Sequence, residues 1–303
     1  NPCAGGLWTI ASRHMTTTPQ PSQAFQSTAT KPATNRELPL PQSDRDPAHL
    51  QGHWLLARIG KHVLRPGGKK LTERMLANAD IAGKDVVEFA PGLGLTTRAI
   101  LERDPKSYRG VDRDPQVVDI ISKLTSEKAT IPASCVQRDA ADTGLESNSA
   151  DVVIGEAMLT MQTERGKQAI IGEAFRLLRA GGTYSIHELG LQPDNLDESV
   201  KDEVRKALAR SIKVNARPLT EQEWRELLEA EGFEVLWRGK EPMALLDMKR
   251  NIADEGIGGV LRILRNVLGN KDIRARVLNM KHTFDKYSNE LTGIAFVVRK
   301  PEA

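Results

Sequence analysis

The chain has 303 residues, and its 43 lysines and arginines stand against 40 aspartates and glutamates, a formal net charge of +3. Because the two signs are closely matched and well mixed, the charge does not indicate a nucleic-acid partner, and no DNA partner is predicted. A chain of this length with 39% hydrophobic residues can bury a large core, which excludes a disulfide-stabilised miniature. Cys3 and Cys135 lie far apart, which favours a reducing, cytoplasmic compartment.

Residues 1–46 are predicted to lie outside the folded domain. Residues 1–14 end in His14 just before Met15 and are typical of a tag remnant. The next thirty or so residues are rich in Thr, Pro, Gln and Ser, so burial cannot offset the entropy of ordering them. A disordered leader is therefore expected, followed by a single domain over residues 47–303. No apolar run approaches the roughly 18 residues of a membrane-spanning helix.

Helical spacing marks the start of the domain. Apolar residues recur at this spacing between residues 47 and 64, and the sequence Arg-Pro-Gly-Gly at 65–68 indicates a turn. A second short helix is expected near residues 71–79. Residues 47–80 are thus predicted to form N-terminal helices ahead of the core.

Strands and helices alternate after residue 84. A β-branched run at 85–89 stops at a glycine turn, and residues 96–103 have a helical pattern. Four more strands are predicted at 107–111, 134–137, 151–154 and 183–187, with helices at 115–124 and 164–178. This alternation indicates a mostly parallel sheet with helices on both faces, and the predicted core spans residues 84–190.

Extra helices follow the fifth strand. An i, i+4 apolar stripe covers residues 196–212, and Thr220 with Glu223 forms a capping box for a helix that Gly232 ends. A sixth strand is predicted at 233–237 and a seventh at 292–298. About fifty residues separate them, which is far more than a hairpin needs, so two or three helices are expected there. The insertions at 191–218 and 240–290 are predicted to form a substrate cap or a dimer interface.

A glycine turn follows the first strand. Gly92 and Gly94 would let the backbone approach a ligand closely and present free N–H groups at the start of a helix. They do not complete the dinucleotide pattern G-x-G-x-x-G, because position 90 is Ala and position 97 is Thr. A nicotinamide dinucleotide is therefore disfavoured.

Four marks in chain order resemble the class I S-adenosylmethionine-dependent methyltransferases. They are the acidic residue and glycine turn at 88–94, Asp112 at the end of the second strand, Asp139 with Ala140 after the third, and the Gly-Gly turn within 176–182 before the fifth. The resemblance covers about residues 84–189. It implies a Rossmann-like seven-stranded, mostly parallel sheet with an antiparallel last strand, and S-adenosyl-L-methionine as cofactor with S-adenosyl-L-homocysteine as product.

The same resemblance implies roles for individual residues. Glu88 would face the amino-acid portion of the cofactor, Asp112 the ribose hydroxyls, and Asp139 and Ala140 the adenine. Ala90 stands where the family usually has its first glycine. The residues predicted to bind the cofactor are Glu88, Ala90, Gly92, Gly94, Asp112, Arg113, Asp139, Ala140 and Glu156.

Polar residues near two strand ends are the candidates for catalysis. Open α/β sheets bind ligands beyond the carboxyl ends of their strands, where Glu156 is expected to follow the fourth strand and His187 and Glu188 the fifth. Methyl transfer requires an aligned acceptor and, if the acceptor carries a proton, a base. Glu156 or His187 is predicted to be that base, while a purely supporting, hydrogen-bonded role stays open for both. No Cys/His cluster has metal-ligand spacing, so no metal is predicted.

The acceptor is predicted only by class. The sequence Gly155–Met158 lacks the Asn/Asp-Pro-Pro-Tyr/Phe signature with which the family methylates adenine or amide nitrogens. The apolar insertions favour a small, lipophilic acceptor, in line with the small-molecule branch (methyltransferase type 11) that includes quinone-biosynthesis enzymes. They would equally suit a homodimer interface or peripheral membrane contact. The alternatives are an RNA methyltransferase and a cofactor-binding protein without transfer activity. The basic residues of the last insertion alternate with an apolar stripe, which favours a solvated helix face over an RNA-binding surface.

Overall fold

The computed structural model of the chain describes residues 49–61, 65–243 and 248–302. The predicted leader at 1–46 lies outside these residues. None of the helices in the described part is both long enough and apolar enough to cross a membrane.

One mixed sheet forms the centre of the domain. Its strands are β1 Asp85–Phe89, β2 Ser107–Asp112, β3 Ala133–Gln137, β4 Ala150–Glu156, β5 Leu178–Leu191, β6 Leu219–Thr220, β7 Glu234–Pro242 and β8 Leu291–Arg299. The order across the sheet is β3-β2-β1-β4-β5-β8-β7, and the short β6 pairs with β5. β8 runs antiparallel to β5 and β7, whereas the pairs from β3 to β5 are parallel. The predicted Rossmann-like seven-stranded sheet is confirmed, and β6 adds a two-residue eighth strand.

Helices cover both faces of this sheet. They are α1 Gly52–Arg58, α2 Gly68–Ala77, α3 Leu95–Leu101, α4 Pro115–Lys128, α5 Glu164–Leu177, α6 Glu198–Ile212, α7 Glu221–Ala230, α8 Met248–Leu268 and α9 Lys271–Lys286, with a 3₁₀ helix at Leu159–Met161. The predicted capping box at Thr220 and Glu223 is present at the start of α7. α8 kinks at Gly256, whose φ of 71° and ψ of 169° are not helical, so the last insertion holds the two or three helices expected.

The buried residues form two cores, one on each face of the sheet. Val86 and Val152 belong to one core and Val87 and Val153 to the other, because successive side chains of a strand point to opposite faces. Helices α1, α2, α4, α6 and α9 pack in the first core, and α5 and α7 pack in the second. The N-terminal helices and both insertions therefore gather on the same side of the sheet.

The fifth strand is longer than predicted. β5 spans 14 residues because β8 pairs with it along the whole stretch from Thr183 to Leu191. The predicted turn at 179–182 is instead an irregular start of this strand, where the register against β4 shifts and Gly181 has a φ of 78°. The expectation that His187 and Glu188 follow the strand is therefore wrong, since both lie inside it. Pairing with a strand more than a hundred residues away leaves no local signal in the sequence.

Candidate functional site

A cavity of about 300 Å³ opens at the carboxyl ends of β1, β2 and β4. Eight of the nine residues predicted to bind the cofactor line it, namely Glu88, Ala90, Gly92, Asp112, Arg113, Asp139, Ala140 and Glu156. The ninth, Gly94, does not line the cavity and lies just before α3. The parallel strands thus bring together side chains that are separated by up to 68 positions in the sequence.

The turn after β1 has an unusual backbone. Ala90, Gly92 and Gly94 all have positive φ, at 51°, 56° and 76°. A Cβ on Gly94 would come within 2.6 Å of the Leu124 side chain, so glycine allows α3 to pack closely on α4. A Cβ on Gly92 would meet only a carbonyl oxygen at 4.0 Å and would otherwise occupy open cavity space. Ala90 keeps the left-handed conformation that the family normally gives to a glycine, at a cost of about 1–2 kcal/mol.

Glu88 lies at the bottom of the cavity. The side chain is almost fully buried, and its Oε2 accepts hydrogen bonds from the hydroxyls of Thr97 at 2.7 Å and Tyr108 at 2.6 Å. Burial raises the pKa of Glu88 to about 7, although these two donors oppose the rise. This carboxyl group can therefore change charge near neutral pH.

Two further carboxylates lie along the same wall. Asp112 ends β2, and its Oδ1 accepts a hydrogen bond from the Asp114 backbone N–H at 2.9 Å. Burial raises the pKa of Asp112 above its usual value. Asp139 follows β3 and lies 3.7 Å from the Arg113 guanidinium. Such acceptors suit the hydroxyl pair of a ribose and the exocyclic amine of an adenine.

Glu156, the last residue of β4, is held by four side chains. The hydroxyls of Thr72 and Thr96 each donate to it at 2.6 Å, the Arg65 Nε lies 3.3 Å away, and the His187 Nδ1 lies 2.9 Å away. Burial would raise the pKa of Glu156, but the charge of Arg65 and the hydrogen bond from His187 outweigh it and lower the pKa to about 2. Glu156 is therefore a carboxylate at neutral pH and a weak base.

His187 and Glu188 do not line the cavity. His187 is fully buried, and its Nε2 accepts a hydrogen bond from the Gly67 N–H at 2.9 Å, so the proton lies on Nδ1 and points to Glu156. Glu188 accepts hydrogen bonds from three successive backbone N–H groups at the start of the 3₁₀ helix and from the Thr160 hydroxyl. Both side chains therefore support the wall of the cavity from behind.

Trp54 and Arg65 also line the cavity, and sequence reasoning missed both. Trp54 lies on α1 and was assigned to the apolar stripe of that helix, while Arg65 was assigned to a turn. Arg65 additionally donates a hydrogen bond to the Thr96 hydroxyl. Their contribution depends on how α1 and the turn before α2 pack on the sheet, which no local pattern reveals.

A smaller apolar cavity of about 70 Å³ adjoins the first, and Ala157 and Met161 line both. The other lining residues come from α1, α6, α9 and nearby segments: Gly52, Leu56, Pro66, Thr160, Leu189, Leu208, Ile212, Val214, Met243, Met280 and Phe284. None of them is charged. Three methionines contribute to the lining, and their flexible side chains let such a cavity adapt to what it holds.

The chain matches the methyltransferase domain family over residues 86–182. An uncharacterized protein of Haemophilus influenzae is 34% identical over 257 residues, which cover 82% of this chain and 98% of that protein. Over a segment of 54 residues, 18% of this chain and 20% of that protein, the sequence is also 41% identical to a Thermococcus onnurineus protein named "Probable ribosomal RNA small subunit methyltransferase A".

Solved structures share the fold at low sequence identity. The [4+2]-cyclase SpnF superposes with a TM-score of 0.62 at 14% identity, over 82% of this chain and 93% of that one. Phosphoethanolamine N-methyltransferase 2 of Haemonchus contortus, in complex with S-adenosyl-L-methionine, superposes with a TM-score of 0.62 at 17% identity, over 83% of this chain and 57% of that one. Because a cyclase and a methyltransferase share it, the fold alone does not determine the reaction.

The residues of the larger cavity fit the cofactor of this family. Gly92 leaves room at the turn, Asp112 and Asp139 offer acceptors for ribose and adenine, and Glu88 offers a carboxylate for an ammonium group. Within the part of the chain that the structure describes, no three potential metal ligands come together. Motifs, fold and family match agree, and the chain belongs to the class I S-adenosylmethionine-dependent methyltransferases.

Proposed function

We propose that the chain transfers the methyl group of S-adenosylmethionine to a small, lipophilic acceptor in the apolar cavity. The observation that carries this proposal is that the two cavities meet at Ala157 and Met161, which line both. An acceptor in the apolar cavity would therefore lie next to a cofactor in the larger one. Neither would have to cross bulk solvent, so proximity and exclusion of water would act together.

The residues of the larger cavity have distinct roles in this proposal. Asp112 holds the ribose hydroxyls, Asp139 and the Ala140 backbone hold the adenine, and Glu88 pairs with the ammonium group of the methionine portion. When bound, S-adenosylmethionine supplies a methyl group activated by a positively charged sulfur. Asp112 and Glu88 orient it, and the positive-φ turn at Ala90 lets the backbone approach it.

Glu156 acts as a fixed negative charge rather than as a base. With a pKa lowered to about 2 by Arg65 and His187, it would take up a proton from an acceptor only at a high energetic cost. His187 is a positioning residue, because its Nδ1 proton orients the Glu156 carboxylate while its Nε2 is engaged by a backbone N–H. Glu188 is likewise a positioning residue that holds the 3₁₀ helix bearing Met161.

The lining of the apolar cavity narrows the class of acceptor. A phosphate or ammonium group there would lose its water without gaining a charged partner, because none of the lining residues is charged. The cavity also supplies no titratable group to remove a proton. Both points favour an acceptor that is apolar apart from one weakly acidic hydroxyl, such as a phenol, hydroquinone or enol, whose proton would pass to solvent water because the cavity offers no base. A nucleotide base in RNA would leave its polar edges unpaired in this cavity.

Transfer of a labelled methyl group tests the proposal. The full chain is incubated with methyl-labelled S-adenosylmethionine and either alkylated phenols and hydroquinones or phosphoethanolamine and an RNA oligonucleotide. We expect transfer to the lipophilic compounds alone. Val214→Trp should fill the apolar cavity and lower the rate at least about tenfold while S-adenosylhomocysteine still binds. Val118→Trp, at a partly buried position of α4 outside both cavities, is the matched control.

Two results would contradict the proposal. Transfer to phosphoethanolamine or RNA, unaffected by Val214→Trp, would place the acceptor elsewhere. Tight binding of S-adenosylhomocysteine without transfer to any acceptor of the panel would favour a cofactor-binding protein that lacks transfer activity.

A further inference from the structure

The outer face of α8 carries an apolar stripe that the described protein leaves uncovered. Ile257, Leu261, Leu264 and Leu268 recur at i, i+4, i+7 and i+11, and their side chains are 71%, 61%, 38% and 66% exposed. The inner face of the same helix carries Val260, which is buried. Exposed leucines forgo the stabilisation that burial would give, and a contiguous stripe of this kind marks an interaction surface.

Positive charge flanks this stripe. Residues 257–286 contain seven lysines and arginines against two aspartates, a net charge of +5, whereas the whole chain carries only +3. Arg262, Arg265, Lys271 and Arg274 are exposed, and none forms an ion pair with an acidic side chain that the structure describes. The excess positive charge of the protein is thus concentrated on α8 and α9, and the remainder of the chain is slightly negative.

We infer that α8, with the basic residues that flank it, docks on the surface of an anionic phospholipid bilayer. The helix would lie in the plane of the interface, with the Ile257–Leu268 stripe among the acyl chains and the basic residues at the lipid headgroups. This combination of an apolar stripe and lysines or arginines beside it is what an interfacial helix requires. The contact is peripheral, since none of the described helices could span the bilayer.

The charge distribution favours a membrane over a second copy of the chain. Pairing two copies through this face about a two-fold axis would bring two surfaces of the same +5 charge together. The apolar stripe likewise favours a membrane over RNA, because a row of leucines offers phosphates and base edges no hydrogen bond.

The position of the surface suits a lipid-soluble acceptor. α9 packs against α8 and contributes Met280 and Phe284 to the lining of the apolar cavity. The docking inference nevertheless does not rest on the proposed acceptor. Vesicle binding is measured without cofactor or acceptor, so its failure can be distinguished from failure of the methyl-transfer proposal.

Vesicle co-sedimentation of the full chain tests the inference. The vesicles consist of phosphatidylcholine alone or of phosphatidylcholine with phosphatidylglycerol. We expect binding to the anionic vesicles that weakens with salt. The triple variant Leu261→Ser, Leu264→Ser, Leu268→Ser and the double variant Arg265→Glu, Arg274→Glu should each lower the apparent affinity at least about tenfold. Leu236→Ser, at an exposed leucine of β7 outside the stripe, should not change it.

Other outcomes would overturn the inference. Absence of vesicle binding, or equal binding by the wild type and the triple variant, excludes a role for the stripe in docking. A dimer in light scattering that dissociates in the triple variant assigns the stripe to a second copy. Binding to polyuridylate that depends on Arg265 and Arg274 but not on the leucines assigns the charge to RNA. Unchanged binding of S-adenosylhomocysteine shows in each case that the variant is folded.

Discussion

The cofactor cavity and the apolar cavity beside it are built in different ways. The first is lined mainly by residues between 88 and 170, at the ends of neighbouring parallel strands, and it contains the carboxylates of Glu88, Asp112, Asp139 and Glu156. The second draws its lining from segments as distant as Gly52 and Phe284, and none of its lining residues is charged. The cofactor cavity presents specific polar groups at fixed backbone positions, whereas the apolar cavity presents mainly apolar surface.

This difference matches what each cavity would bind under the proposed function. A cofactor with a ribose, an adenine and an ammonium group needs particular acceptors in particular places, so few residue types can serve. An apolar acceptor needs only volume of the right shape, which many combinations of Leu, Ile, Val and Met provide. The reaction class can therefore be read from short motifs, whereas the acceptor requires the packed structure. The variants below test the two sides of this comparison, from the largest expected effect to the smallest.

Glu156 lines the larger cavity, next to Ala157, which lines both cavities, and should be the most sensitive position. Glu156→Gln leaves the Arg65 side chain, which is only 12% exposed, without its carboxylate partner and should lower the free energy of unfolding by about 3–5 kcal/mol, as measured by denaturant titration at pH 7. The exposed Glu127→Gln is the matched control. A loss below about 1 kcal/mol would show that the four side chains that contact Glu156 rearrange easily around the substituted residue.

Glu156→Gln should also change how the free energy of unfolding depends on pH. The pKa of Glu156 is lowered from 4.5 to about 2, so its stabilising charge is fully present above about pH 4.5 and is lost as the pH falls towards 2. The free energy of unfolding of the wild type should fall through this range. Glu156→Gln should have a flatter profile, and parallel profiles for the two proteins would contradict the low pKa.

Asp112→Ala tests the cofactor cavity alone. Loss of a charged acceptor for two hydroxyls should weaken binding of S-adenosylhomocysteine about 100-fold in calorimetry. Asp114→Ala is the control, because this carboxylate lies two residues away but caps α4 by accepting from the Gln116 N–H. The control should cost about 1 kcal/mol of stability and leave the affinity unchanged. Equal loss of affinity in both variants would indicate that the loop, and not the Asp112 carboxylate, is responsible.

Where the sequence predicted the fold correctly, its signals are local. The strand at 85–89 has the bounds predicted, the Thr220–Glu223 capping box is present, and eight of nine predicted residues line the larger cavity. The failures share a physical cause. The length of β5 depends on pairing with β8, and the place of Arg65 in the cavity depends on how the segment before α2 packs on the sheet.

Glu88 should make cofactor binding depend on pH. Burial raises its pKa from 4.5 to about 7, so in the free protein its stabilising contribution is present below about pH 4.5 and is lost as the pH rises through 7. A bound ammonium group favours the ionised form. The affinity for S-adenosylhomocysteine should therefore rise about tenfold between pH 6 and pH 8 in the wild type. In Glu88→Gln the calorimetric affinity should be flat over this range, and an unchanged slope would assign the titration to another group.

Ala90→Gly should have the smallest effect. It tests why the turn after β1 keeps its conformation with alanine where the family usually has its first glycine. Ala90 has a φ of 51°, so glycine should relieve about 1–2 kcal/mol of strain while adding about 0.5–1 kcal/mol of backbone entropy to the unfolded chain. A net gain in unfolding free energy between zero and about 1.5 kcal/mol is expected, with unchanged affinity for S-adenosylhomocysteine. Ala99→Gly in α3 has helical geometry and should instead lose about 1 kcal/mol. If Ala90→Gly were equally destabilising, the methyl group of Ala90 would have to contribute packing that outweighs its strain, and the turn would then be shaped by side-chain contacts rather than by backbone conformation.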